Sequence, residues 1–194
     1  MKKSKSGRST GRTTGGRKRP TTSVSAQSGA PKATAVRSGN PAKSRYRSSV
    51  NALELLKADH ERVNSLFEDY ETSGGEDKHV IADKIMKELE VHATIEEEIF
   101  YPALRGIPDK DSITKVSEAI KEHKRIRGLI RELRGLDPDD DILDAKFREM
   151  MREVMHHVDE EENDMFPLAE KHLADELAQL GKELDDRKQR LLKA

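Results

Sequence analysis

The sequence contains no cysteine and no tryptophan, and only 4% of its 194 residues are aromatic. Without thiols, the chain has no disulfides, thiolate metal sites or cysteine nucleophiles. No apolar run approaches the roughly 20 residues that a membrane-spanning helix needs, so we predict no membrane contact. The amino terminus is basic but has no apolar segment, which argues against a secretory signal. We therefore expect a cytoplasmic protein.

Acidic residues are absent from the first 50 positions. Thirteen of the 36 Lys and Arg lie in residues 1–50, so residues 51–194, with 23 basic and all 37 acidic side chains, have a formal charge of −14. Residues 1–48 are mostly small, polar or basic, which predicts a disordered basic tail. Such a tail can bind nucleic acid through phosphate contacts, remain solvated, or fold back on the acidic body. A single aromatic residue, Tyr46, argues against base stacking.

Apolar and polar residues nowhere alternate with the two-residue period of a β-strand. After residue 50 the apolar residues recur instead at helical spacing. Helices are predicted at residues 51–72, 76–104, 112–134, 139–169 and 173–192. Long amphipathic helices with short loops indicate an all-α fold, an up-down-up-down four-helix bundle over 49–172 with an extra C-terminal helix in 173–194. That helix packs on the bundle or mediates dimerisation. Two of the bundle helices are expected to turn Ile99, Ala103, Met165 and Leu168 inward.

A short motif occurs twice. His92 precedes Glu96 by four residues and Pro102 by ten, and the same spacing recurs 65 residues later at His157, Glu161 and Pro167. Residues four apart share one face of a helix. A second match, offset by 63, relates the segments around His60 and His123. The bundle is therefore predicted to consist of two similar helical hairpins related by an approximate two-fold axis.

Six polar side chains fall on the predicted apolar faces: His60, His92, Glu96, His123, His157 and Glu161. Burying an ionised carboxylate without a partner is costly. A hydrogen-bonded His–Glu network is one solution, but it makes a fragile core when only partly satisfied. A metal cluster satisfies all six groups at once, and we favour it.

The donor set limits the choice of metal. Imidazole and carboxylate ligands without thiolate favour iron, with manganese or zinc as alternatives. The donors suffice for two ions, which bridging carboxylates from Glu96 and Glu161 would link. Glu97 and Glu162 match across the repeat and are candidates for an outer shell around the ligands.

Residues about 50–170 resemble the hemerythrin-like, or HHE cation-binding, domain. The resemblance depends on Asp59-His60 and Glu122-His123, and on the two His-xxx-Glu motifs, followed by Phe-Tyr-Pro and Met-Phe-Pro. It implies a four-helix bundle that holds two non-haem iron ions. It also implies binding or sensing of dioxygen, peroxide or nitric oxide, or handling of iron.

The sequence departs from the oxygen-carrying members of that family at one position. They have a further histidine four residues after the one in the third helix, and Arg127 stands there instead. The resemblance then implies fewer protein ligands on one ion, which argues against reversible oxygen transport. Glu162 is kept as a reserve ligand.

Three functions stay open at this point. The first is a di-iron protein for small oxidants, with peroxidase or oxidase turnover undecided. The second is a nucleic-acid-associated protein that sequesters iron. The third is a structural helical module that has lost its metal.

Overall fold

A computed structural model describes residues 50–137 and 140–194, and within these ranges every regular element is helical. Five helical rods are built from seven α-helices and two π-helical turns: α1 (Ala52–Thr72); α2 (Gly75–Ile95), a π turn (Glu96–Phe100) and α3 (Tyr101–Arg105); α4 (Lys110–Leu133); α5 (Leu143–Glu160), a π turn (Glu161–Met165) and α6 (Phe166–His172); and α7 (Leu177–Lys193). The predicted all-α four-helix bundle with an extra C-terminal helix is confirmed. The predicted tail, residues 1–48, lies outside the described residues.

The helix boundaries follow local capping chemistry. The Asn51 side chain accepts the N–H of Glu54 at 2.9 Å, and the Glu54 carboxylate accepts the N–H of Asn51 at 3.1 Å, so a capping box starts α1 next to the predicted boundary at residue 51. Asp109 caps α4, which begins two residues before the predicted start. The fourth and fifth rods begin four residues later than predicted, at Leu143 and Leu177.

Each π turn ends two residues before a proline, at Phe100 before Pro102 and at Met165 before Pro167. Tyr101 donates its backbone N–H to the carbonyl of Glu96, five residues back, and Phe166 does the same to Glu161. Proline has no N–H for the helical ladder and its ring crowds the preceding turn. The widened turns before Pro102 and Pro167 accommodate that defect, and both begin at a glutamate of the repeated motif.

The π turns change which residues face inward. Phe100, Tyr101 and Leu104 are buried, whereas Ile99 and Ala103 are only partly buried. Ile99 and Ala103 still pack against the core as predicted, but at its margin, because the extra residue in the turn advances the fully buried face by one position.

The same shift follows the second motif. Met165 is buried as predicted, but Leu168 is partly exposed and Ala169 is fully buried in its place. The repeat therefore preserves the defect in the helix as well as the residues of the motif.

The apolar core divides into two clusters along the bundle. One contains Leu56, Phe100 and Phe166, and the other contains Phe67, Ile130 and Phe147. The histidines and glutamates of the predicted site lie between them. α7 packs against α1 and α2 of the same chain and adds to the first cluster. No helix in the described part of the chain combines the length and apolar character needed to cross a membrane.

Candidate metal centre

All six residues predicted as ligands converge on one polar layer of the bundle. Their exposed fractions do not exceed 7%, and Glu96 and Glu161 are completely buried. One histidine comes from α1 and one from α4. The two His-Glu motifs come from the junctions of α2 and α5 with their π turns. Because each glutamate opens a π turn one helical turn after its histidine, both side chains of a motif point into the bundle.

The first half of the layer pairs His60 with His92. Their Nε2 atoms lie 3.1 Å apart. His92 Nε2 is 3.1 Å from Glu96 Oε1, and His60 Nε2 is 3.3 Å from Glu161 Oε2. Four donor atoms from three of the helical rods therefore surround one small volume.

The second half likewise pairs two histidines, His123 with His157. His123 Nε2 lies 3.0 Å from His157 Nε2 and 3.4 Å from Glu96 Oε2. Donor atoms of His60, His92, Glu96 and Glu161 form one compact group, and those of Glu96, His123 and His157 form another. Glu96 belongs to both groups, which suits a bridging carboxylate. The geometry places Glu161 in the first group only.

Two outer carboxylates hold the histidines that come from α1 and α4. Glu162 Oε1 lies 2.7 Å from His60 Nδ1, and Glu97 Oε1 lies 2.9 Å from His123 Nδ1. Glu97 and Glu162 therefore occupy the outer positions expected from the repeat. Since Glu162 contacts the ring nitrogen that faces away from the centre, its position does not support a role as a reserve ligand. These contacts orient the rings and direct Nε2 inward.

The other two histidines have outer carboxylates that the sequence reasoning missed. Glu122 Oε2 lies 3.0 Å from His157 Nδ1, and Asp59 Oδ2 lies 3.6 Å from His92 Nδ1. Asp59 and Glu122 each precede a site histidine and match at the 63-residue offset. The acidic residue that directly precedes both His60 and His123 could have indicated this role from the sequence. Three imidazoles are thus hydrogen-bonded to an outer carboxylate, whereas His92 Nδ1 and Asp59 Oδ2 face each other without a hydrogen bond.

Charge is distributed unevenly between the two central glutamates. Burial by itself raises the pKa of Glu96, but the His92 and His123 imidazoles bring it well below the usual carboxyl value. Burial raises the pKa of Glu161, and the neighbouring charge of Glu96 raises it further. Burial lowers the pKa of His92, yet Glu96 and Asp59 outweigh it and raise the value to about 10. Protons therefore occupy positions that a cation would take, so metal and protons compete.

One position breaks the symmetry of the centre. The Tyr101 hydroxyl lies 3.4 Å from Glu96 Oε2 and 3.4 Å from His123 Nε2. The matching residue in the other half is Phe166, whose ring stacks on His60 with 5.9 Å between centroids. Burial raises the pKa of Tyr101 well above its usual value, and the charges of Glu161 and Glu96 raise it further. The two halves thus offer different surroundings to a bound ion.

The donor arrangement fits a pair of cations. Glu96 Oε1 and both carboxylate oxygens of Glu161 are buried without a hydrogen-bond partner among the described residues, and such orphaned oxygens are costly. Two ligands about 2.1 Å from one ion and about 90° apart lie about 3 Å from each other. The facing Nε2 pairs, at 3.1 and 3.0 Å, match that spacing.

Comparison with known proteins agrees with this geometry. The profile of the hemerythrin HHE cation-binding domain matches residues 51–169. The chain belongs to the hemerythrin HHE cation-binding domain family. The bundle is therefore a cation-binding domain with a metal-binding cluster of histidine and glutamate.

Two individual proteins are similar to the chain. A hemerythrin HHE cation-binding domain-containing protein from Mycobacterium kansasii has a solved structure that superposes with a TM-score of 0.65 at 25% identity, covering 73% of this chain and 87% of that one. A Nostoc sp. protein named DNA nickase is 27% identical over 131 residues, which is 67% of this chain. The match covers 36% of that relative, so the chain spans about a third of its length.

Proposed function

We propose that the bundle holds two non-haem iron ions and binds a small oxidant, either dioxygen, peroxide or nitric oxide. The observation that supports this proposal best is the pair of facing histidines in each half, joined through the shared carboxylate of Glu96. His60, His92 and Glu161 would hold one ion, and His123 and His157 the other. Iron bound there would supply a redox-active cation with positions open to exchangeable ligands. Imidazole and carboxylate donors also accept manganese or zinc.

The position of Arg127 supports ligand exchange at the centre. Its guanidinium donates to Glu97 Oε1 at 2.7 Å, and the same oxygen lies on His123 Nδ1. Arg127 thus supports an outer carboxylate and supplies no donor to an ion. This favours binding, sensing or removal of oxidants over reversible oxygen transport.

A cavity beside the cluster provides room for such a ligand. It has a volume of about 230 Å³, and all four site histidines contribute to its lining. Its walls are apolar: Val63, Phe67, Leu89, Ala93, Ile126, Val154 and Val158. Exposed residues of the lining, among them Glu61, Asn64 and Met155, mark the side open to solvent. The carboxylates of Asp59, Glu61 and Glu162 also line the cavity, and apolar walls with acidic groups favour small neutral molecules over anions.

The repeat suggests how to block this cavity. Asn64, in its lining, corresponds to Arg127 at the 63-residue offset. Asn64→Arg would therefore place a long cationic side chain at the mouth, while the ligand set stays intact. Ser65→Arg is the matched control, because Ser65 is an exposed neighbour on α1 outside the cavity lining.

Nitric oxide binding to the iron(II)-loaded protein tests both the proposed function and access of the ligand through the cavity. Stopped-flow absorption should show a new charge-transfer band, and Asn64→Arg should slow its appearance about tenfold, the effect of a barrier of roughly 1.4 kcal/mol. Metal content and the rate in Ser65→Arg should stay unchanged. If iron binds stoichiometrically and neither nitric oxide, dioxygen nor peroxide alters the spectrum, the oxidant proposal fails and iron storage or sensing replaces it.

A second candidate function is association with nucleic acid through residues 1–48. It is supported by the 13 basic and no acidic residues in residues 1–50, and by the similarity to the relative named DNA nickase. The full chain should retain duplex DNA with an affinity that falls steeply as salt rises, without sequence preference. Deleting residues 1–48 should abolish retention, and replacing Arg17, Lys18 and Arg19 with glutamine should weaken it. Equal retention by the shortened chain would contradict this function.

A further inference from the structure

The C-terminal helix α7 lies beyond residues 51–169, the segment that matches the family. Leu177, Leu180 and Leu184 are buried and attach α7 to the bundle. At Gly181 a Cβ atom would overlap the carbonyl oxygen of Val50, so only glycine permits this close approach to the start of α1. The position of α7 is therefore closely fixed.

One residue of α7 reaches the outer shell of the metal centre. The Lys188 ammonium donates to Asp59 Oδ1, and the Lys188 side chain is only 13% exposed. The other oxygen of Asp59 faces His92 Nδ1 at 3.6 Å. Lys188 thus holds the Asp59 carboxylate beside the imidazole of His92, although Asp59 Oδ2 and His92 Nδ1 do not form a hydrogen bond in this arrangement.

The matching contact in the other half has a different origin. Glu122, which backs His157, has Arg125 as its cation at 3.5 Å. Arg125 comes from the same helix as Glu122 and its side chain is 53% exposed. One outer carboxylate therefore has a cation in contact with solvent, while Asp59 has a largely buried cation supplied by another helix.

We propose that Lys188 is a positioning residue for the ion that His92 binds, and that α7 is the element of this chain that holds it in place. An outer carboxylate fixes the orientation and tautomer of a metal-binding histidine only while its own orientation is fixed. Asp59 is 8% exposed, and without its cation it is a buried carboxylate whose remaining contact is weak. It then reorients toward water and releases His92. The inference depends on the proposed metal centre.

Release of iron(II) to a chromogenic chelator tests the proposal in the full chain. Lys188→Met should accelerate release of one ion about tenfold, the lower end of the effect of removing an outer-shell partner. Release of the second ion should be unchanged, and Lys188→Arg should restore the first. Arg187→Met is the matched control, since Arg187 also joins α7 to the bundle, through Glu98 at 2.9 Å, without contacting the centre.

Thermal unfolding of each variant distinguishes an effect on the position of His92 from a general weakening of the contact between α7 and the bundle. Equal acceleration in Lys188→Met and Arg187→Met would overturn the proposal, because it would show that any loosening of α7 suffices. Unchanged release in Lys188→Met, with or without a lower Tm, would overturn it as well. A wild-type chain that takes up no iron would instead contradict the metal centre itself, so the two failures are distinguishable.

Discussion

Glu96→Ala should abolish metal binding in both halves of the centre. Glu96 is the one residue shared by the two donor groups, and its oxygens lie 3.1 Å from His92 Nε2 and 3.4 Å from His123 Nε2. Loss of an outer partner typically costs 10- to 100-fold in metal affinity, so loss of this inner ligand should cost more than about 100-fold. Elemental analysis after loading and desalting should find almost no metal.

Two further variants sharpen this prediction. Glu161→Ala should retain one ion, because Glu161 belongs to one donor group only. Glu98→Ala should retain both, since Glu98 lies in the same π turn but is exposed and pairs with Arg187. Glu96→Ala should also destabilise the metal-free fold, because His92 and His123 lose the buried carboxylate that they face, so metal content is compared at a temperature where both proteins are folded. Wild-type stoichiometry in Glu96→Ala would show that the donor groups have been assigned wrongly.

Removing the metal should lower the Tm by about 10 °C. A cation that binds only the folded chain stabilises it by about 4 kcal/mol at a free concentration of 1,000 Kd. For a chain of this size each kcal/mol changes Tm by about 2–4 °C. Calorimetry before and after chelation gives the difference, and restoring the metal should restore the Tm.

The matched comparison is the double variant His92→Ala, His157→Ala. It lacks a histidine in each half, so the chelator should leave its Tm unchanged within about 2 °C. A chelator-insensitive wild type would favour the hydrogen-bonded His–Glu network over a metal centre. An equal fall in the double variant would point to a general effect of the chelator on the fold.

The layer of ligand residues could be predicted from the sequence because polar side chains stand there at positions where the helical period requires apolar ones. His60 and His123 stand on faces that are otherwise apolar, and Glu96 and Glu161 repeat the conflict with one spacing. Sequence periodicity therefore indicated which side chains converge, and the structure brings all six predicted residues together.

The π turns could not be predicted by a method that assumes a constant period. A single added residue between Glu96 and Tyr101 moves Phe100 and Leu104 into the core and leaves Ile99 and Ala103 packed at its margin. Pro102 was a usable sign, because a proline inside a helical pattern demands a local defect. We interpreted it as a kink or an end near the last turn of a helix predicted to reach residue 104, whereas the rod widens before Pro102 and continues to Arg105.

The contacts of the outer carboxylates could not be predicted from the sequence, for a different reason. Glu97 and Glu162 were suggested by the repeat, but their partners were not, because each reaches a histidine on a different rod. The contact of Lys188 with Asp59 spans 129 residues and joins a helix outside the repeat to one inside it. Periodicity within single helices contains no information on such contacts.

Metal analysis of the full chain purified from its own host tests the central claim most directly. Plasma mass spectrometry should find about two iron ions per chain, as in other di-iron helical bundles, and X-ray absorption at the iron edge should show nitrogen and oxygen neighbours without sulfur. Preparations that contain no bound transition metal, and that take up none when it is supplied, would contradict the account.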